Sequence, residues 1–228
     1  MTRSRTLKLS VLAAAGAFVM SACSTHPGSA AVVGSESIGG SRLDEVASAL
    51  CSAQSSGAQS GQPQELASRA ARQGALDVLI NGSMSRQYGE SQGAEADQEQ
   101  LASAVDANKA TIAKIPADRR GVFRETLVDY ATGQLMLGEI GKKELAKQGT
   151  TNATAEQAVT AGTKLRDAWV KKNLTVSVDP RYGTFSKGAL VAKSGSLSAA
   201  VSSGAVDGSA QAPSSSWVSA LPASQKCS

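Results

Sequence analysis

The stretch from Ala31 to Cys51 constrains the fold more than any other part of the sequence. It predicts a short extended segment at Ala31–Val33, a turn at Gly34 and a second extended contact at Ile38. The residues that follow have the i, i+3, i+4, i+7 apolar spacing of an amphipathic helix: Leu43, Val46, Ala47 and Leu50. We therefore expect the fold to begin here and its first helix to end at a cysteine.

The composition favours a helical body. The chain has 228 residues, of which 41% are hydrophobic and only 4% aromatic, while Ala, Gly and Ser are abundant. This length allows one domain with a sizeable core. A core of Leu, Val, Ile and Ala favours closely packed helices over an aromatic-rich β-sandwich.

The first 22 residues read as a secretory signal peptide. Arg3, Arg5 and Lys8 form a basic start, and an apolar run follows from Leu9 to Met20. That run is shorter than the roughly 20 apolar residues that span a bilayer. It has the length of the hydrophobic region of a signal peptide.

The end of this segment, from Met20 to Cys23, resembles the bacterial lipobox, although Met20 stands where Leu is usual. The resemblance implies that Cys23 is diacylated and becomes the first residue of the mature protein, on the outer face of the plasma membrane. Residues 23–30 would then form a lipidated tether that contains His26, the one histidine. The alternative is an ordinary secretory signal, with Cys23 lost or free.

The net charge does not favour nucleic-acid binding. The formal charge of +4 falls to +1 when Arg3, Arg5 and Lys8 leave with the signal peptide. The remaining basic residues alternate with acids, whereas nucleic-acid surfaces need concentrated basic stripes.

Two cysteines, Cys51 and Cys227, remain for the folded domain. In an oxidising compartment they are expected to form a disulfide. Two independent buried thiols are the alternative, and a free-thiol count on the non-reduced protein separates the two.

The rest of the chain predicts about five helices. Segment 118–147 has two apolar faces, which predicts a central helix packed on several sides. Thr154 to Gln157 form a capping box that should begin the last helix. The predicted helices cover residues 42–52, 64–88, 97–114, 118–147 and 155–172, and residues 174–178 alternate as a strand. Residues 186–228 are predicted to be a Ser/Gly/Ala-rich extension, loose over 201–216 and held to the body near Trp217, Leu221 and Cys227.

Residues 31–51 and 176–185 together resemble the opening and closing segments of the SurA/PrsA-type chaperone domain. The resemblance covers about residues 31–185. It implies a mainly α, helical domain in which strands near 31–34 and 174–178 pair as a two-stranded sheet. It also implies binding of unfolded or secreted polypeptides. Members of this group often carry a histidine-containing parvulin isomerase domain, for which this chain has no room, so isomerase activity is not carried over.

Catalytic patterns are absent from the sequence. His26 stands alone in the predicted tether, so nucleophilic catalysis lacks a base. We expect no enzyme activity, no cofactor and no metal site, and no residue can be assigned to ligand binding. Glu125 and Asp129 lie one helical turn apart, which is typical of a solvated helix face.

The sequence is compatible with two main functions. The first is a membrane-anchored, ATP-independent chaperone for secreted polypeptides, in which Met84, Met136 and Tyr130 could line a groove. Ordinary core packing is the simpler interpretation of these three residues. The second is an envelope structural or adaptor lipoprotein that binds one specific protein partner. A lipoprotein that binds a small molecule fits less well, because aromatic residues are scarce.

Overall fold

The computed structural model describes residues 28–57, 65–186, 188–191, 202–210 and 213–227. The predicted signal peptide, Cys23 and His26 lie outside these residues. The described part is mainly helical with small antiparallel sheets. Its elements are β1 Ser29–Val33, β2 Glu36–Gly39, α1 Gly40–Ser55, α2 Ser68–Ser91, α3 Gln98–Ala107, α4 Lys109–Lys114, α5 Ala117–Lys147, α6 Ala155–Asn173, β3 Val176–Val178, β4 Thr184–Ser186, β5 Ala189–Val191, α7 Ser203–Ser209 and α8 Ser215–Ala220, with a 3₁₀ turn at Ala223–Gln225.

The main sheet joins the two ends of the helical body. β1 pairs antiparallel with β3, with Ala31 opposite Val178 and Val33 opposite Val176. The predicted pairing is therefore confirmed. The predicted number of strands is wrong, because β2 adds a third strand and gives the order β2-β1-β3. Gly34, at φ +60°, reverses the chain after β1, so that the second extended segment folds back onto the first.

Helix α5 lies at the centre of the body. It packs against α1, α2, α3, α4 and α6. Phe123 and Leu137 are buried on it. The prediction that two apolar faces indicate a central helix is confirmed.

The α5–α6 contact depends on glycine. A Cβ atom on Gly141 of α5 would overlap the carbonyl of Ala158, and one on Gly162 of α6 would overlap the carbonyl of Leu137. Both obstacles are backbone atoms, which cannot move aside as a flexible side chain can. The two backbones therefore approach as closely as they do only because both positions lack a side chain.

We expect Gly162→Ala to lower the free energy of unfolding by about 1–3 kcal/mol or more, the cost of an overpacked contact. Gly74→Ala in α2 is the matched control, since a Cβ there would meet nothing within 4 Å. The control should raise stability by about 0.5–1 kcal/mol, because alanine is the better helix former. Urea unfolding measures both, and equal effects would contradict the close-contact argument.

Two predicted helix boundaries are wrong. The segment predicted as one helix over 97–114 is two, because the chain leaves helical geometry at Asn108 with φ −98° and ψ 4°. The Asn108 amide donates to the Ala104 carbonyl at 2.8 Å, a local side-chain bond that competes with helix continuation. Helix α2 begins at Ser68 instead of residue 64, since Ala67 forms a β-bridge with Lys226.

The predicted capping box is confirmed. The Thr154 hydroxyl accepts from the Gln157 N–H at 3.2 Å, and the Gln157 side-chain oxygen accepts from the Thr154 N–H at 2.9 Å. Helix α6 begins immediately afterwards at Ala155.

Two short helices lie where a loose tail was expected. Ser202 caps α7 and Ser214 caps α8 through their hydroxyls. The Trp217 indole N–H donates to the Gly204 carbonyl at 2.8 Å and connects the two helices. The prediction that residues 201–216 are loose is therefore wrong wherever the chain is described, because serine caps supply the order that the apolar pattern does not indicate.

The chain end is fastened to the body by a disulfide between Cys51 and Cys227, whose Cα atoms are 5.1 Å apart. The Cys227 N–H also donates to the Leu66 carbonyl at 2.8 Å. Hydrogen bonds from Ser219 and Lys226 lower the pKa of Glu65 beside it. The predicted disulfide is confirmed, and it indicates an extracytoplasmic domain. Within the described residues, every helix is too short or too polar to cross a membrane.

Removal of this disulfide should lower stability by up to about 4–5 kcal/mol, because the bond closes a very long loop in the unfolded chain. We expect dithiothreitol to lower the melting temperature of the wild type to that of the Cys51→Ser/Cys227→Ser double variant. The double variant itself should not respond to the reductant. A wild-type melting temperature that reduction leaves unchanged would contradict this role.

Candidate functional site

The three side chains considered for a groove have different surroundings. Met84 is 1% exposed and Met136 is 9% exposed, and both belong to the core. Met136 occupies the space beside Gly89, where α2 and α5 meet. Tyr130 is 39% exposed on α5. Core packing thus accounts for the methionines, and Tyr130 alone lines an open groove.

A cleft of about 610 Å³ lies between α5, the start of α6 and the loop before α3. We call it the α5–α6 cleft. Half of its lining residues are small or aliphatic, and we call this part of the lining its floor: Ala96, Leu135, Gly138, Ala153, Ala155, Ala158 and Val159. Small residues thus line the cleft, as they line the contact that brings α5 and α6 together.

The polar lining residues of the α5–α6 cleft, which we call its rim, carry more negative than positive charge. Glu95, Asp97 and Glu139 contribute carboxylates, and Lys142 contributes an ammonium group. Glu139 is paired with Lys143 outside the cleft at 2.5 Å. The cleft therefore combines an apolar floor with a rim that favours basic groups over acidic ones.

A second cleft, of about 590 Å³, lies on the other flank of the same helix pair. Its apolar surface comes mainly from Leu145, Ala161 and Leu165. Polar side chains surround them: Glu144, Gln148, Thr150, Glu156, Gln157, Thr160 and Lys164.

A third cavity, of about 120 Å³, runs beside strand β2. We call it the edge groove. It is lined by all four β2 residues, by Arg42 of α1, by Val78, Leu79, Gly82 and Arg86 of α2, and by Thr126, Asp129 and Tyr130 of α5. Glu36 of β2 accepts from Arg86 at 2.9 Å and from the Ser83 hydroxyl at 2.5 Å, so its charge is engaged by α2.

The two carboxylates that lie one turn apart on α5, Glu125 and Asp129, make different contacts. Glu125 forms an ion pair with Arg42 at 3.3 Å, and its side chain is 68% exposed. Asp129 is exposed at the edge groove and has no ion-pair partner among the described residues. The described structure has no hydrogen bond between these two side chains.

One buried charged side chain was not predicted from the sequence. Arg166 of α6 is 5% exposed, and its guanidinium donates to Ser85 of α2 at 3.0 Å and to Asp167 at 2.8 Å. Ser85 is itself fully buried and donates to the Asn81 carbonyl at 2.7 Å. This network fixes α6 on α2. In the sequence, Arg166 occupies a position four residues after Gly162, on the face that packs inward, and this spacing is the signal that could have found it.

We expect Arg166→Met to destabilise the fold by about 1–3 kcal/mol, because it leaves the buried Ser85 hydroxyl without its donor. Arg124→Met on the exposed face of α5 is the control and should change stability by less than about 0.5 kcal/mol. Thermal unfolding followed by circular dichroism measures both. A neutral result for Arg166→Met would show that the network does not contribute to stability.

Among the described residues, no group of three or more His, Cys, Asp and Glu side chains is arranged to hold a metal ion. Comparison of the chain with protein-family models, curated proteins and solved structures gives no match. The functional interpretation therefore depends on the clefts themselves.

Proposed function

We propose that the protein is an extracytoplasmic, ATP-independent chaperone that holds unfolded secreted polypeptides, called clients below. The observation that carries this proposal is the α5–α6 cleft, which is open, apolar at its floor and polar at its rim. Grooves of this kind accept apolar peptide segments and leave the polar flanks hydrated. The resemblance of residues 31–51 and 176–185 to the SurA/PrsA-type chaperone domain supports the same function.

The chemistry of the cleft is that of weak, adaptable binding. Its floor contains no large rigid anchor that would select one client side chain, and alanine and glycine expose short apolar surfaces and backbone. Burial of apolar client surface contributes roughly 25 cal/mol per Å², and the ordering of the client opposes it. A client bound in this way dissociates without an energy source. The acidic rim adds a preference for segments flanked by Lys or Arg.

The proposed location follows from the sequence and the disulfide. We propose that diacylated Cys23 anchors the domain to the outer face of the membrane, where two acyl chains give stable attachment. The Cys51–Cys227 bond is consistent with that oxidising side. The clefts would then meet polypeptides as they emerge from the membrane.

Suppression of aggregation tests the proposal. A several-fold molar excess of the processed chain should reduce light scattering from reduced α-lactalbumin, a secreted protein that aggregates when its disulfides are broken. Ala155→Tyr places a bulky ring in the α5–α6 cleft and should weaken this suppression several-fold. Ala168→Tyr, at an exposed α6 position outside the cleft, should leave it unchanged.

No suppression by the wild type at excess would refute the chaperone function. Equal loss in both tyrosine variants would show that the cleft is not the binding surface. Crosslinking in cells then separates the chaperone from an adaptor, because a chaperone recovers many secreted proteins and an adaptor recovers one stoichiometric partner.

A further inference from the structure

Strand β2 leaves one edge of the main sheet open. The strand order is β2-β1-β3, so β2 and β3 each have one side without a strand partner in that sheet. β3 is also contacted by β4. Among the described strands, none lies beside the outer side of β2. An edge with free backbone groups can accept a further strand.

The hydrogen-bond alternation shows which β2 groups point outward. The Ala30 carbonyl accepts from Asp179 at 2.9 Å, and the Gly34 N–H donates to Thr175 at 2.9 Å. The backbone N–H and C=O groups of even-numbered β1 residues therefore point towards β3, and those of odd-numbered residues point towards β2.

The odd-numbered residues of β1 lie opposite Glu36 and Ile38. Those two β2 residues therefore direct their backbone groups inward, towards β1. The N–H and C=O of Ser37, between them, point away from β1 towards the open side.

The edge groove follows the whole strand and is not confined to one of its faces. A cavity on a face would be lined by alternate residues, since successive side chains point to opposite sides. This groove is lined by all four consecutive residues from Glu36 to Gly39. It therefore reaches the edge of β2 along which an added strand would run.

The walls of the groove suit an extended polypeptide. The cavity of about 120 Å³ is close to the roughly 150 Å³ of an engineered cavity that binds benzene, so it can hold one branched or aromatic side chain. The charges of Glu36 and Arg42 are engaged by Arg86 and Glu125.

Two further groups define the occupant of this groove. Asp129 has no ion-pair partner among the described residues, and the exposed Tyr130, which follows it on α5, lines the same groove. A carboxylate beside an aromatic ring attracts a basic side chain. The charge complementarity thus favours a segment that carries Lys or Arg near its apolar residue.

We propose that β2 binds an extended polypeptide segment as an added strand, with main-chain hydrogen bonds to Ser37, one apolar side chain in the edge groove and a basic residue at Asp129 and Tyr130. This mode of binding is β-strand addition, in which the main chain supplies affinity and the pockets supply selectivity. The inference deepens the proposed chaperone function, on which its choice of partner rests, and places a second client contact on a different face from the α5–α6 cleft.

The variant Ser37→Pro tests the main-chain bond directly. Proline removes the outward N–H and places its ring at the open edge, while the bonds from β2 to β1 use Glu36 and Ile38. Proline is tolerated on edge strands in this orientation. Ser37→Ala is the matched control, since both variants lose the Ser29–Ser37 hydroxyl contact of 2.6 Å but alanine keeps the N–H.

The probe is a set of overlapping 12-residue peptides that cover reduced, carboxymethylated α-lactalbumin. We expect the tightest-binding peptide to lose about tenfold in affinity to Ser37→Pro and to bind Ser37→Ala like the wild type. Equal affinities for the two variants would overturn the proposal, as would the absence of any peptide that binds the wild type.

A second measurement decides the question if Ser37→Pro does not fold, as judged by its circular dichroism melt. The same peptide is remade with single N-methyl groups along its length and titrated against the wild type. Weakened binding at alternate positions supports strand addition, because only every second N–H faces β2. Equal binding by all N-methyl peptides overturns it.

The chaperone function and strand addition at β2 can be refuted independently of each other. A wild type that suppresses aggregation while both Ser37 variants bind equally keeps the chaperone function and removes strand addition. A wild type that binds peptides through Ser37 but does not suppress aggregation keeps strand addition and removes the chaperone function.

Discussion

The close approach of glycine-lined helix backbones is the contact on which the rest of this structure depends. Gly141 and Gly162 bring the backbones of α5 and α6 together, and Gly133 of α5 leaves room for the Cβ atom of Ser85 on α2. Three helices are thereby held at distances that side chains would forbid. The clefts on the two flanks of the α5–α6 pair follow from this arrangement, because the floor of the larger cleft uses Gly138 and small residues of the same helices.

The sheet and the disulfide act on the same part of the molecule. β1 joins the start of the domain to β3, and Cys227 joins the end of the chain to α1 directly after β2. Both connections bring residues distant in sequence to the segment that begins the fold. The Glu36–Arg86 pair further holds β2 on α2. Strand β2 is therefore held by β1 and α2, while no described strand pairs with its outer edge.

Local patterns in the sequence predict most of the helices but not the site. The capping box at Thr154 and the apolar spacing of α5 specify their elements without tertiary information. The break at Asn108 and the late start of α2 depend on a side-chain bond and on a bridge from the distant chain end, which apolar periodicity does not record. The order near Trp217 comes from serine caps in a stretch whose composition is typical of loops. The clefts depend on how closely the helices cross, and the sequence shows only that small residues occur.

The edge of β2 is short enough to accept a client segment without making the protein prone to aggregation. Long, flat, apolar edges aggregate, whereas β2 has four residues and presents one serine at its centre. Its two outward backbone groups supply about 0.5–1.5 kcal/mol each in net terms. One buried apolar side chain adds about 1.5–3 kcal/mol. The loss of translational and rotational freedom, about 4 kcal/mol or more, cancels most of this sum. Contact with β2 alone is therefore too weak to seed a growing sheet. A segment that also reaches the α5–α6 cleft gains from the raised effective concentration of a second contact. The two proposed contacts, weak and on separate faces, would thus favour long unfolded chains over short or folded ones, and each would release without an energy source.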